Sequence, residues 1–304
     1  MSLIIAAAFF IWFFGSSEKK DNLSEDFEKI PVKDKPAALE NFVPPTFVVF
    51  KDSENVLPKR NWSILPLELH ASAAIAVKLD GSRIYYNKNM NERRPIASLT
   101  KLMTAIIVLE NLNLDDVIKV SKSDVKRIGS SGDLRSDESL TARSLLNIML
   151  IDSSNDAALA LARQKQDFVS LMNKKAKELG LSNTRFINPD GIDEDGGYSS
   201  VFDVAKIFSY LTVNYPQVLE VLKTKNMVIY SSDGKIEHRL RNTNELLGIV
   251  SEIKAGKTGY TDKAGGSLAL LINDIITVIL GSQDRFGESE KLIQWLKEAY
   301  IWEK

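Results

Sequence analysis

The 304-residue sequence contains no cysteine and only two histidines, His70 and His238. Disulfide bonds and a cysteine nucleophile are therefore excluded, and a Ser-His-Asp mechanism would have to depend on one of these two histidines. The sequence also lacks an internal repeat, a glycine-rich phosphate loop and a cluster of metal-ligating residues, so we expect no metal and no other cofactor. The net charge of −1 gives no indication of nucleic-acid binding.

What the sequence does contain is three short motifs in a defined order. They are Ser98-Leu99-Thr100-Lys101, Ser153-Ser154-Asn155 and Lys257-Thr258-Gly259. Ser-x-x-Lys occurs six times in the chain and Ser-x-Asn twice, whereas Lys-Thr-Gly occurs once. Alone, each motif is more often a helix cap or a turn than a catalytic element. Their order and context together predict a serine acyl-transfer site that uses lysine in place of histidine.

The first motif has the context of a helix start. Pro95 lies just upstream of Ser98, and apolar residues follow at helical spacing. We therefore predict that Ser98 lies in or just before the first turn of a buried helix. Lys101, three residues later, would lie on the same face, so that its amine can meet the serine hydroxyl. The helix N-terminus also offers free backbone N–H groups, including that of Ser98, to a developing oxyanion.

The other two motifs are predicted in different settings. Ser153-Ser154-Asn155 separates two apolar helical segments, Leu145–Ile151 and Asp156–Ala162, and would present polar side chains to a cleft. Lys257-Thr258-Gly259 is expected on a strand beside a hairpin. The hairpin would consist of Ser267–Ile272 and Ile275–Gly281, with its turn at Asn273-Asp274.

With these motifs in place, the sequence resembles the penicillin-recognising serine enzymes of the serine β-lactamase/DD-peptidase superfamily. Within them it is most similar to the low-molecular-weight D-alanyl-D-alanine carboxypeptidases. The resemblance covers about residues 68–300 and includes Asn188-Pro189-Asp190-Gly191 and Asn242-Thr243-Asn244. The chain departs from the family at Ser154, where glycine is usual, and at Gly197-Tyr198-Ser199-Ser200, where a histidine commonly precedes a Ser-Thr pair.

The resemblance implies a mixed α and β fold of the β-lactamase/DD-peptidase type. An antiparallel sheet flanked by helices would combine strands near 72–87 with strands near 253–281, and an all-helical subdomain would span about 110–222. The active cleft would lie between the sheet and the helical part.

It also implies a role for each motif residue. Ser98 would be the nucleophile and Lys101 its base, with the pKa of Lys101 lowered by burial and by the nearby charge of Lys257. Ser153 would relay a proton to the leaving amine. Asn155 would bind the substrate amide and also orient Lys101. Lys257 and Thr258 would bind the peptide carboxylate, and Gly259 and Tyr260 on the same strand would complete the substrate-binding residues. The N–H groups of Ser98 and Tyr260 would form the oxyanion hole.

The activity implied is removal of the terminal D-alanine from peptidoglycan stem peptides through a Ser98 acyl-enzyme, with β-lactams as acylating inhibitors. A D,D-endopeptidase, a serine β-lactamase and a non-catalytic cell-wall binding protein remain open. A class A β-lactamase would need a glutamate base between the second and third motifs. Glu178, Glu194 and Glu220 fall in this interval, but none lies in a recognisable loop of that kind.

The N-terminal part differs from the rest in composition. Leu3–Phe14 is an unbroken apolar run, so we expect 1–16 to be a signal or membrane-anchor segment, with an anchor favoured over clean secretion. Six of the nine prolines lie between Pro31 and Pro66, and we expect 17–61 to be an extended linker, with Phe42–Phe50 either an edge strand or a sticky part of it. The catalytic domain would span 62–304, on the extracytoplasmic face of the bacterial membrane.

Overall fold

The computed structural model describes residues 58–126 and 133–302. The predicted anchor 1–16, nearly all of the predicted linker 17–61 and the apolar segment Phe42–Phe50 lie outside the described residues. None of the described helices combines the length and the apolar character needed to cross a membrane.

The described chain alternates between strands and helices. The strands are β1 (Lys59–Arg60), β2 (Ala73–Lys78), β3 (Ile84–Lys88), β4 (Val117–Lys119), β5 (Ser139–Thr141), β6 (Asn226–Tyr230), β7 (Glu237–Arg241), β8 (Ile253–Thr261), β9 (Gly265–Ile272), β10 (Ile275–Ser282) and β11 (Tyr300–Ile301). The helices are α1 (Thr100–Asn111), α2 (Ala142–Ile151), α3 (Asn155–Ala162), α4 (Phe168–Glu178), α5 (Val201–Asn214), α6 (Gln217–Lys223) and α7 (Arg285–Ala299).

The main sheet has five antiparallel strands in the order β3-β2-β10-β9-β8, which confirms the predicted fold class. It joins the two predicted groups of strands. The predicted hairpin is β9–β10, and its turn contains Asn273 at a φ of 52°, a conformation that asparagine tolerates and that two-residue hairpin loops require. β8 is the last strand of the sheet, so the third motif lies on a sheet edge.

Strand β2 has helices on both faces. Because side chains alternate along a strand, Ala73, Ile75 and Val77 belong to the core shared with α1 and α5, whereas Ala74 and Ala76 pack in the core that includes Leu292 of α7. All six residues of β2 are buried, which explains why its first five residues are apolar without alternation.

The segment predicted to be helical, 110–222, contains α2–α6 but also a short antiparallel ribbon, β4–β5. Each of these strands has three residues with one buried side chain, Ile118 and Leu140, and this is too short a pattern to indicate a strand from sequence. Lys59 and Arg60 lie in the predicted linker, yet they pair with β11, and Arg60 donates from Nη1 to the Ala299 carbonyl at 3.1 Å. The folded body therefore includes these two residues.

Candidate active site

The three motifs come from three different parts of the fold. Ser98 lies in a single 3₁₀ turn, Ala97–Leu99, that leads directly into α1. The second motif begins between α2 and α3, and Asn155 is the first residue of α3. The third motif lies in the middle of the edge strand β8.

A cleft of about 610 Å³ opens where these parts meet. Six of the eight residues that the sequence singled out line it: Ser98, Ser153, Asn155, Thr258, Gly259 and Tyr260. The other two, Lys101 and Lys257, are almost completely buried and contact the two cleft serines. Ser154 does not line the cleft, because its hydroxyl caps α3 by accepting from the Ala157 N–H at 3.2 Å.

The Lys101 amine is held by three oxygen atoms. Nζ lies 2.9 Å from the Ser98 Oγ, 2.7 Å from the Asn155 Oδ1 and 2.7 Å from the main-chain carbonyl oxygen of Asp190. None of these three atoms carries a formal charge. The ammonium form of Lys101 can therefore donate three hydrogen bonds at this position without a direct ion pair.

Burial lowers the pKa of Lys101 from 10.5 to about 7, and the negative charge of Asp190 opposes this effect. Desolvation disfavours the charged form of an amine, so the side chain can lose its proton near neutral pH. From the sequence we also expect the charge of Lys257 to lower this pKa. In the structure burial is the main cause, and the repulsion between Lys101 and Lys257 is mutual, so it disfavours a state in which both amines are charged.

Lys257 is the second buried amine of the site. Its Nζ donates to the Ser153 Oγ at 2.7 Å and to its neighbour's carbonyl, that of Thr258, at 3.0 Å. Its pKa is lowered well below the usual value, first by burial and then by the positive charges of Lys101 and Arg285, while Asp152 acts in the opposite direction. Each of the two cleft serines is thus in contact with its own buried lysine.

Two glycines allow the three parts to approach closely. A Cβ on Gly259 would lie 3.0 Å from both the Ile96 carbonyl oxygen and the Ser98 nitrogen. A Cβ on Gly191 would lie 2.0 Å from the Ala97 carbonyl oxygen, and Gly191 has a φ of +82°. Gly191 excludes a side chain, and a methyl group at Gly259 would require the 3₁₀ turn carrying Ser98 to shift by a few tenths of an ångström, because that turn packs directly against both backbones.

Among the described residues with positive φ, only Ala97 and Ser153 are neither glycine nor asparagine nor aspartate, the residue types that tolerate this conformation. Ala97, just before Ser98, has a φ of 49°, and Ser153 itself has a φ of 62°. A residue other than glycine pays about 1–2 kcal/mol for the left-handed conformation. Such strain persists where the surrounding structure fixes the chain, and it is typical of functional sites.

The structure adds three groups to which the sequence assigned no role. The Asp190 carbonyl contacts Lys101, and the turn that presents it is closed by Asn188, whose Oδ1 accepts from the Gly191 N–H at 2.8 Å. Thr243 lines the cleft with its Oγ1 2.5 Å from the Thr258 Oγ1. Arg285 also lines it and donates to the Gly259 carbonyl at 3.3 Å. Asp190 and Thr243 lie in segments that carried the family resemblance, whereas no sequence signal marked Arg285.

Neither histidine lies in the cleft. His70 is exposed, and His238 is buried on β7 with its Nε2 2.8 Å from a carboxylate oxygen of Glu138. No glutamate among the described residues lines the cleft either. Glu178 and Glu220 instead form ion pairs with lysines of their own helices.

Comparison with known proteins agrees with this geometry. The model of the D-alanyl-D-alanine carboxypeptidase family matches residues 60–283. This chain belongs to that family.

Individual family members differ in activity. The D-alanyl-D-alanine carboxypeptidase DacF of Bacillus subtilis is 36% identical over 203 residues, which is 64% of this chain and 52% of that protein. The D-alanyl-D-alanine endopeptidase of Escherichia coli is 30% identical over 248 residues, which is 77% of this chain and 79% of that protein. The chain thus spans about half the length of the first relative and about four fifths of the second.

Solved structures share the fold at similar identity. A serine-to-alanine mutant of a Streptomyces DD-transpeptidase matches with a TM-score of 0.71 and 29% identity, over 77% of this chain and 100% of that one. A penicillin-binding protein of Listeria monocytogenes in its cefotaxime-bound form matches with a TM-score of 0.67 and 30% identity, over 77% and 99% of the two chains.

Proposed function

We propose that this protein is a serine D-alanyl-D-alanine carboxypeptidase that removes the terminal D-alanine from peptidoglycan stem peptides. The observation that carries the proposal is the buried contact between Lys101 Nζ and Ser98 Oγ at 2.9 Å, with a Lys101 pKa of about 7. A serine hydroxyl is a weak nucleophile until a base takes its proton, and this amine is both close enough and sufficiently deprotonated to do so.

The two other contacts of Lys101 explain how the neutral amine would be oriented. A neutral amine has two N–H donors and one lone pair. The Asn155 Oδ1 and the Asp190 carbonyl can only accept, so they take both donors. The lone pair is then left facing the Ser98 hydroxyl, which is the arrangement that a general base requires.

The chemistry follows in two stages. The Ser98 proton moves to Lys101 while Oγ attacks the carbonyl of the penultimate D-alanine, with the N–H groups of Ser98 and Tyr260 receiving the oxyanion. One such donor contributes about 3 kcal/mol in comparable sites. The C–N bond then breaks as Ser153 gives its hydroxyl proton to the leaving amine and takes up the proton held by Lys101. Water then hydrolyses the Ser98 ester, which releases the shortened peptide as a carboxylic acid and restores the Ser98 hydroxyl. Penicillin would acylate Ser98 by the same first stage.

The carboxylate of the departing D-alanine would bind at the far side of the cleft. Thr258 and Thr243 present their hydroxyl groups there, and Arg285 supplies a positive charge beside the Gly259 carbonyl. Lys257 lies behind them. A carboxylate bound by a cation and hydroxyl groups is stabilised by charge-assisted hydrogen bonds.

The test is D-alanine release from a diacylated Lys-D-Ala-D-Ala peptide by the full chain, with Ser98→Ala as the matched variant. We expect release by the wild type and none by the variant, because the variant lacks the only atom that forms the acyl-enzyme. Far-ultraviolet circular dichroism checks that the variant is folded. Retained release in the folded variant would contradict the assignment of Ser98.

Cleavage of D-alanyl cross-links is the second candidate, and the Escherichia coli relative favours it, since that protein is an endopeptidase similar over 77% of this chain. Both reactions attack a D-alanyl carbonyl and need the same site. High-performance liquid chromatography of cross-linked and uncross-linked muropeptides after digestion separates them. Fast turnover of a β-lactam would favour a β-lactamase instead, and slow acylation without peptide hydrolysis would favour a binding protein.

We also propose that the protein acts outside the cytoplasmic membrane, with 1–16 as anchor, a linker that ends near residue 58 instead of 61, and a catalytic domain that begins with the paired residues Lys59 and Arg60. Support comes from the substrate of the family and from the start of the described chain, where Trp62 and Leu65 are 85% and 80% exposed. Tryptophan is enriched at membrane–water interfaces. Protease digestion of intact spheroplasts tests the orientation: the catalytic domain should be degraded without lysis, and protection until lysis would contradict it.

A further inference from the structure

A second groove begins where the catalytic cleft ends. It has a volume of about 1020 Å³ and shares Asp152, Thr243 and Arg285 with the cleft. Its outer part is lined by Lys225 just before β6, by Arg241 at the end of β7, and by residues of the segment after β7 that include the exposed Ile249. The volume is at the upper end of the range of about 300–1,000 Å³ that is typical of ligand pockets.

The outer part of this groove carries two exposed cations that lack an acidic partner. Lys225 and Arg241 form no ion pair within the part of the chain that the structure describes. By contrast, Arg239, two residues earlier on the same face of β7, is paired with Glu237. Asp152 and Glu245 also line the groove, and the charge of Glu245 acts on Arg285, so the positive charge available to a ligand is that of Lys225 and Arg241 in the outer part.

The backbone at these two cations is well defined. Asn242, next to Arg241, donates its N–H to the Lys225 carbonyl at 2.8 Å and its Nδ2 to the Thr224 carbonyl at 3.0 Å. The Lys225 side chain runs across Gly248, since a Cβ there would lie 2.6 Å from Nζ. Lys225 and Arg241 thus lie at one end of the β6–β7 ribbon, where hydrogen bonds fix the backbone just before Thr243.

The position of the groove indicates what part of a substrate it would take. In the proposed reaction the carboxylate of the leaving D-alanine lies at Thr243 and Arg285, which is the junction of cleft and groove. A leaving group that is larger than one D-alanine has to continue beyond this junction. In a cross-linked substrate that leaving group is a second stem peptide, which carries free carboxylates of its own.

We propose that this groove is the binding site for the leaving stem peptide of cross-linked peptidoglycan, with Lys225 and Arg241 binding its carboxylates. The inference rests on the proposed serine peptidase function and assigns to two named residues the binding of the leaving part of its second candidate substrate, a cross-linked peptide. A D-alanine leaving group would not reach the two cations, so they would select for cross-linked peptides without taking part in the bond-breaking step.

The test compares two substrates on three forms of the full chain. The substrates are a disaccharide-peptide dimer with a D-alanyl cross-link and a diacylated Lys-D-Ala-D-Ala peptide. The forms are the wild type, the double variant Lys225→Gln/Arg241→Gln, and Arg239→Gln as a matched control that removes an exposed cation of β7 outside the groove. We expect kcat/KM for the dimer to fall about fivefold in the double variant, since exposed ion pairs contribute modestly. D-alanine release should be unchanged in all three forms.

Ionic strength provides a second readout. Added salt should lower kcat/KM for the dimer in the wild type and have less effect in the double variant, because the screened charges are gone. An equal fall for both substrates, or no fall for the dimer, would overturn the inference. So would a wild type that releases D-alanine but leaves the dimer intact, and that result would retain the proposed function. A wild type that cleaves neither substrate would overturn the proposed function itself.

Discussion

The pH dependence of Ser98 acylation tests the role of Lys101 most directly. Only the neutral amine can accept the serine proton, so the rate should follow the deprotonated fraction of Lys101. The assay is the second-order rate of acylation by a fluorescent penicillin between pH 5.5 and 9.5. We expect the rate to rise with pH and to level off above a midpoint near the Lys101 pKa of about 7.

The size of the effect follows from the structure. An ordinary lysine with a pKa of 10.5 is neutral in roughly one molecule in 3,000 at pH 7, whereas a pKa of about 7 makes roughly half of the molecules competent. Burial therefore raises the concentration of the base at neutral pH by about three orders of magnitude. This corresponds to about 5 kcal/mol of differential stabilisation, at about 1.4 kcal/mol per pKa unit.

Substitution of Lys101 by arginine is the sharpest perturbation. Lys101→Arg keeps a hydrogen-bond donor in the site but cannot lose its proton near pH 7, so acylation should fall by at least about 10³-fold. Lys101→Met provides the uncharged control. A rate that does not change between pH 5.5 and 8, or a Lys101→Arg variant within tenfold of the wild type, would refute the reasoning.

The remaining predictions concern the neighbours of the two serines. Asn155→Asp places a carboxylate beside the Lys101 amine and should shift the midpoint of the pH–acylation profile to higher pH. Asn155→Ala removes a hydrogen bond to the charged form of Lys101 and should shift this midpoint to lower pH. Equal shifts in the two variants would contradict the role of this contact. Ser153→Ala and Ser153→Gly both remove the hydroxyl that Lys257 contacts, but only glycine relieves the strain of a φ of 62°. In urea unfolding, Ser153→Gly should therefore be more stable than Ser153→Ala by about 1 kcal/mol, and equal unfolding midpoints for the two variants would argue against strain. Gly259→Ala forces a methyl group to 3.0 Å from the Ser98 nitrogen and should cost about 1–3 kcal/mol in thermal or urea unfolding and slow acylation, while wild-type values for both would show that the turn can move.

Local sequence pattern predicted the parts of this protein that depend on neighbouring residues. The helix after Ser98 follows from apolar spacing, and the β9–β10 hairpin follows from two apolar runs separated by Asn273-Asp274. The five-stranded sheet itself, which joins residues about 200 positions apart, required the resemblance to a known family, since periodicity alone predicts only that helices and strands are present.

The contributions missed from sequence come from groups without a sequence signature. A main-chain carbonyl such as that of Asp190 exists at every position, so only the folded structure can show that one of them holds Lys101. Arg285 stands 26 residues after Gly259 and reaches it because α7 begins just after the central strand β10, where the Arg285 side chain passes Gly266 of β9 on its way to β8. The strain at Ala97 is likewise a property of the packed turn and not of an alanine.

The choice of neutral acceptors around Lys101 unites these observations. A buried carboxylate at hydrogen-bond distance would hold the amine in its charged form and raise its pKa, which would remove the base from neutral pH. The protein instead surrounds the amine with a hydroxyl, a side-chain amide and a peptide carbonyl. Asp190 is an acidic residue in contact with Lys101, but the contact is made by its main-chain carbonyl. Its carboxylate instead accepts from the Ile192 N–H at 3.4 Å. The tight turn of Asn188–Gly191, with glycine packed against Ala97, therefore contributes to the pKa of the base, because it determines that Lys101 meets the carbonyl oxygen of Asp190 and not its carboxylate.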